Sequence, residues 1–161
     1  MKLKKSWLYA AGIVAVAAVV AFFMAGKPKV TDENVIDINL AEHKDLAMHI
    51  HPKVAITILG KDYSIPPNIG ISEGRMRVIH THEGDGTLHI ESPIPHQFYL
   101  EDFFTIWGTR FTDTCIFEHC TDGSHTLKAY VNGEESSLYG LIPLYDHDNI
   151  RIVYAEKGAG P

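Results

Sequence analysis

Between Ser6 and Gly26 lie 21 consecutive uncharged residues, mostly Ala, Val, Leu, Ile and Phe. As a helix rising 1.5 Å per residue, that run spans roughly 30 Å, the hydrocarbon thickness of a bilayer. A buried helix of a globular domain would ordinarily be shorter and amphipathic, so the expectation is a transmembrane anchor at residues 1–26. Lys2, Lys4 and Lys5 precede the run, and Trp7 and Tyr9 sit where interfacial aromatics belong. With the amino terminus, these lysines outweigh Lys27 and Lys29. The positive-inside bias therefore places the N-terminus in the cytoplasm and the rest of the chain outside the cell membrane. The rival reading is a cleaved signal peptide, but cleavage after Ala25 would put Phe23 where a small residue is required.

Every acidic residue follows the apolar run. Residues 27–161 hold 11 Lys and Arg against 20 Asp and Glu, a formal charge of −9 with neutral His. Phosphate recognition needs a concentrated basic surface, so this balance argues against a nucleic-acid partner. Residues 27–47 mix Pro, charge and turn formers without a sustained period and read as a linker, with a short helical turn at 40–47. From Met48 onward short apolar runs broken by Gly, Pro and Asn mark strands and turns. This predicts one β-rich domain at 48–155, followed by a tail at 156–161.

Within that domain, Val54–Leu59 and Tyr63–Ile65 read as a hairpin around Gly60-Lys61-Asp62. Met76–Thr81 and Thr87–Glu91 read as a second hairpin around Glu83-Gly84-Asp85-Gly86. Pro66-Pro67-Asn68 stops the first ladder, because proline lacks the donor that a central strand requires. One helix is expected at Leu100–Trp107, stopped by Gly108, with Glu101 and Asp102 in the first turn where the helix dipole favours acids. Leu127–Val131, a tight turn at Asn132-Gly133 and Ile150–Tyr154 complete the order. The fold class is α+β: a transmembrane helix, then a small mixed sheet with one main helix. The last 35 or so residues, with a strand ending in Val131-Asn132-Gly133, a connection and then Leu144–Tyr154, resemble the β-grasp of ubiquitin-like sulfur carriers and ligand-binding modules. A carrier requires a Gly-Gly terminus, whereas this sequence ends Gly158-Ala159-Gly160-Pro161, so the resemblance implies the fold without the carrier chemistry.

Ten histidines occur in the sequence, and their spacing matters more than their number. His49-Ile50-His51 and His80-Thr81-His82 are both His-x-His, and His89-Ile90-Glu91 repeats the spacing with a carboxylate. On a strand, residues i and i+2 share a face, so each triplet aims two potential ligands to one side. If 76–81 and 87–91 pair, His80 or His82 comes close to His89 across the strands. The candidate ligand set is His49, His51, His80, His82, His89 and Glu91. Imidazoles without thiolate suit copper or zinc. The alternative is that these histidines bond turn carbonyls or form a pH-responsive surface. Because imidazole must be neutral to bind metal, affinity is expected to weaken below about pH 6.5.

A second resemblance rests on His49-x-His51-Pro52, Ile65-Pro66-Pro67-Asn68-Ile69-Gly70-Ile71, His80-Thr81-His82-Glu83, His89-Ile90-Glu91-Ser92 and Phe98–Gly108. Together these resemble a widespread prokaryotic group of His-rich proteins with one membrane anchor and one small extracytoplasmic domain. The group carries no established activity. It implies the topology and draws attention to the same five histidines.

Cys115 and Cys120 form an even pair separated by four residues. Outside the cytoplasm the simplest reading is a disulfide; the rival is a thiolate site with His119 and His125 for Cu(I) or Zn. No nucleophile elbow, phosphate-binding loop or dinucleotide fingerprint occurs, so the common marks of hydrolases and nucleotide enzymes are missing. A metal hydrolase using Glu83 or Glu91 as base is the enzymatic reading left open. The sequence therefore points to a membrane-anchored extracytoplasmic protein binding copper or zinc for delivery, retention or sensing. The alternative is an accessory subunit of a larger membrane complex, with the bilayer and a polytopic protein as partners. Ala11, Gly12, Ala15, Ala17 and Ala18 would permit close helix contact.

Overall fold

A proline after the first histidine pair separates strands that enter the two larger of the four sheets among the described residues. Met48–Ile50 forms β1 and Lys53–Ile58 forms β2, separated by His51-Pro52. The structure is a computed structural model that describes residues 30–158. The expected membrane span at 6–26 lies outside the described residues, and no helix among those described is long and apolar enough to cross a membrane. The chain continues through β3 (Lys61–Tyr63), β4 (Ile71–Ser72), β5 (Arg75–Met76), β6 (Ile79–His80) and β7 (His89–Ser92) to helix α1 (Leu100–Trp107). It ends with β8 (Cys115–Ile116), β9 (His119–Cys120), β10 (His125–Val131), β11 (Glu134–Ser136) and β12 (Asn149–Glu156). The class is mixed α and β, mostly sheet with one α-helix among the described residues.

The larger sheet has five strands in the order β11-β10-β12-β2-β3. Its first and last strands in the sequence, β2 and β12, lie side by side and parallel, with Ile56 opposite Ile152. Every other pairing in it is antiparallel. Period-two alternation buries Val54 and Ile56 of β2, Leu127 and Ala129 of β10, and Ile150 and Ile152 of β12 against one core. Two-residue turns close its hairpins. Leu59-Gly60 (φ 50° and 77°) and Asn132-Gly133 (φ 53° and 93°) both adopt the left-handed backbone that matches strand twist. The first turn thus falls one or two residues earlier than Gly60-Lys61-Asp62, and β3 ends at Tyr63 rather than Ile65.

Helix α1 buries Leu100, Phe103 and Phe104. Phe104 stacks on Phe111 with ring centroids 4.5 Å apart. Burying such a side chain stabilises by roughly 1.5–3 kcal/mol. The Asp102 carboxylate accepts the Tyr99 N–H at the start of the helix (2.8 Å), and Gly108 at φ 75° ends it. Residues 30–47, expected as a linker, supply two buried core side chains, Val35 and Leu40, and two short 3₁₀ turns. Arg77 ties this segment down, through the Ile36 carbonyl and an ion pair of 2.7 Å to Asp37.

The smaller sheet has three strands in the order β1-β7-β6. The expected strand 76–81 is instead two short pieces. The Arg77 N–H bonds the Gly70 carbonyl (2.8 Å), which draws the 66–71 loop across the chain between β5 and β6. Gly86 joins the sheets: its carbonyl accepts the Val54 N–H at 2.8 Å, and a Cβ there would collide with the Val54 carbonyl.

Candidate functional site

The small sheet decides which histidines meet. β6 pairs with β7 so that His80 lies opposite His89, as expected from the hairpin pattern. β1 pairs with the other edge of β7, placing His49 opposite Glu91. That second pairing is not visible as a local pattern, because about 40 residues separate the strands. It makes β7 the centre strand, with one His-x-His pair on each side of His89. Two sets result: His49, His51 and His89, and His80, His82 and His89. In each set, one ligand nitrogen per residue lies within 4.8 Å of the others.

Nitrogens sharing a tetrahedral ion at about 2.0–2.1 Å stand roughly 3.3 Å apart. Closing either set therefore takes side-chain movements of about 1 Å, within reach of rotation of the exposed His49 and His82 and the half-buried His51 and His89. The rings are already packed together. His82 and His89 have centroids 4.6 Å apart, His80 and His82 4.9 Å, and His51 and His89 4.9 Å.

His80 is the residue whose surroundings say most. It is 0% exposed. Its Nδ1 lies 3.0 Å from the Arg77 carbonyl oxygen. A carbonyl only accepts, so in the neutral ring Nδ1 carries the hydrogen and Nε2 keeps a lone pair. That Nε2 is buried and has no hydrogen-bond partner among the described residues. A buried polar atom left without a partner costs about 1–3 kcal/mol. The arrangement matches that of metal-ligating histidines, in which a carbonyl holds one ring nitrogen and thereby directs the other at the ion.

The burial of His80 is built by its neighbours. Thr81, also buried, donates its hydroxyl to the Pro66 carbonyl (2.9 Å) and accepts the Ile69 N–H (3.0 Å). The Ile65-Pro66-Pro67-Asn68-Ile69-Gly70 segment thus buckles over the back of β6. Gly70 sits at φ 74°, where an added Cβ would collide with the Ile79 carbonyl and come within 3.2 Å of both His80 Cβ and Ile106 of α1. The sequence motif that attracted attention without an assigned role is a backing plate for His80.

Burial pushes the His80 titration below its ordinary value of 6.5, and nearby His82 and His89 add to this. The Arg77 carbonyl and the charge of Glu91 oppose it. His89 is lowered first by burial and then by His82 and His51, against Glu83 and Glu91. Both shifts favour the neutral imidazole that a metal requires.

Glu91, expected as a ligand, belongs to neither set. Its Oε1 lies 3.2 Å from His49 Nε2 across the β1–β7 pair. Four of the remaining histidines sit instead beside single carboxylates: His96 by Asp32, His119 by Glu118, His125 by Asp122 and His147 by Asp146. The sulfurs of Cys115 and Cys120 lie at disulfide distance across the β8–β9 pair. His119 and His125 flank Tyr154, at centroid distances of 5.2 and 5.3 Å, and do not form a ligand set with the sulfurs. No family model, no curated protein and no solved structure matches this chain.

Proposed function

We propose that this chain is a metal-binding protein that holds Cu(II) or Zn(II) on its histidine cluster, at the outer face of the cell membrane. The observation that carries the reading is His80 Nε2, a lone-pair nitrogen buried without a partner beside His82 and His89. A protein gains nothing in stability from such an atom, and an ion at that position would satisfy it. Imidazoles with no thiolate near them favour Zn(II) or Cu(II) over Cu(I). His82 is exposed, which leaves room for a water or a partner's ligand in a further coordination position. This suits delivery, retention or sensing.

The membrane anchor at 1–26 rests on the apolar run and its lysines. An extracytoplasmic position is supported further by the cysteine pair at disulfide distance. A β-grasp reading of the larger sheet is supported by its strand order, with the first and last strands parallel at the centre and α1 between the two hairpins.

Titration of the full chain in detergent with Zn(II) and with Cu(II), followed by metal analysis after desalting, tests the reading. Stoichiometric retention at micromolar metal is expected, and its absence would sink the proposal. A second reading, an accessory subunit of a membrane complex, is favoured by Leu138, Leu141 and Tyr145, which are 52%, 56% and 56% exposed along the connection from β11 to β12. Native sizing after gentle extraction checks it, since a particle of monomer size with nothing co-purifying would count against a stable partner.

A further inference from the structure

The two histidine sets differ in depth and share a ligand. The inner set ends on His80, fully buried and backed by the 66–71 loop. In the outer set, the His49 side chain is 49% exposed and that of His51 35%. Each set has one imidazole with a close polar neighbour: His80 Nδ1 donates to the Arg77 carbonyl at 3.0 Å, and the Glu91 carboxylate lies 3.2 Å from His49 Nε2. His89 stands between them on the centre strand and belongs to both.

One imidazole nitrogen gives its lone pair to one ion at a time. Filling both positions at once would require His89 to lose its remaining N–H and bridge two ions. We infer that His49, His51 and His89 form an outer exchange position for the same divalent ion, from which it passes to His80, His82 and His89 with His89 held throughout. One ion per chain is then bound at a time. The exposed pair takes it from solvent or from a donor and the buried histidine retains it. Stepwise transfer through a shared ligand avoids releasing a bare ion between the two positions. This rests on the metal-binding reading above and adds a route to it.

The test uses the full chain in detergent, Zn(II) and a chromophoric chelator, comparing wild type with the double variant His49→Ala/His51→Ala. Both side chains are partly exposed, and the His51 backbone N–H to Asp146 (2.8 Å) survives the change. Expected are one equivalent of zinc in both proteins and affinities within about threefold of each other. Loading and chelator extraction should both slow by about tenfold or more in the double variant, a rise of about 1.4 kcal/mol in each barrier. His80→Leu should show the converse, weak and rapidly exchanging zinc. Two equivalents in wild type would overturn the single-ion claim. Unchanged exchange rates in the double variant, or a loss of affinity as large as that of His80→Leu, would overturn the outer position's role. If the double variant unfolds, His49→Gln/His51→Gln repeats the comparison with the polar surface kept. No zinc on wild type would refute metal binding itself, an outcome distinct from all of these.

Discussion

Replacing His80 with leucine separates a functional histidine from a structural one. The two side chains are similar in volume, so little cavity or overpacking is expected at this fully buried position. The variant leaves the partly buried Arg77 carbonyl without its Nδ1–H donor, a cost of about 1–3 kcal/mol. It also removes the unpartnered Nε2, relieving about 1–3 kcal/mol. These opposed effects are of similar size, so the metal-free variant should unfold in urea within about 2 kcal/mol of wild type. Metal reverses the comparison. An ion at a hundred times its dissociation constant stabilises the wild type by about 2.7 kcal/mol, while a site weakened a hundredfold gains less than about 0.5 kcal/mol. Urea unfolding of both proteins, with zinc and with EDTA, reads both effects. Equal zinc-induced shifts in the two proteins would refute the role given to His80. So would a metal-free loss of about 3 kcal/mol or more, since that would make the imidazole a structural element of the core.

Acid should weaken the metal-free fold. His80 and His89 titrate below 6.5 when folded, so the unfolded chain takes up protons first, and stability present above about pH 6.5 falls as the pH drops beneath it. Urea midpoints at pH 7.5 and 5.5 check this, and His80→Leu should flatten the slope. Gly86→Ala should destabilise by on the order of 2–4 kcal/mol, because φ is 84° and the new Cβ meets the Val54 carbonyl where the two sheets join. A melting temperature unchanged from wild type would contradict that. Reducing the Cys115–Cys120 pair, five residues apart, should cost about 2 kcal/mol on the chain-entropy estimate. Because these cysteines lie away from the histidine sets, reduction should leave zinc stoichiometry unchanged.

Much of the fold could be read locally. The 54–59 strand, the helix at 100–107 and the Asn132-Gly133 hairpin follow from period-two alternation, a glycine stop and a two-residue turn. The pairing of His80 with His89 also followed, because one hairpin contains both. Two things could not be read. β1 reaches β7 across about 40 residues, and its three residues carry too little pattern to name a partner. That pairing sets His49 opposite Glu91 and leaves Glu91 outside both histidine sets. The burial of His80 was equally hidden, since it depends on the 66–71 loop folding back over β6. In the sequence the only trace of this is Gly70, whose φ of 74° and crowded surroundings exclude a side chain. Val35 and Leu40 teach the same lesson in reverse. A segment with no sustained period still places two isolated apolar side chains in the core, because two contacts need no repeat.

X-ray absorption of the full chain loaded with one equivalent of zinc or copper asks directly whether imidazoles hold the ion, read alongside the same spectrum from His89→Leu, which removes the imidazole common to both sets. A first shell containing at least three imidazole nitrogens at about 2.0–2.1 Å is expected for zinc, with the imidazole count falling in the variant. A shell of oxygen ligands, or an imidazole count unchanged when His89 is removed, would contradict metal binding at these histidines.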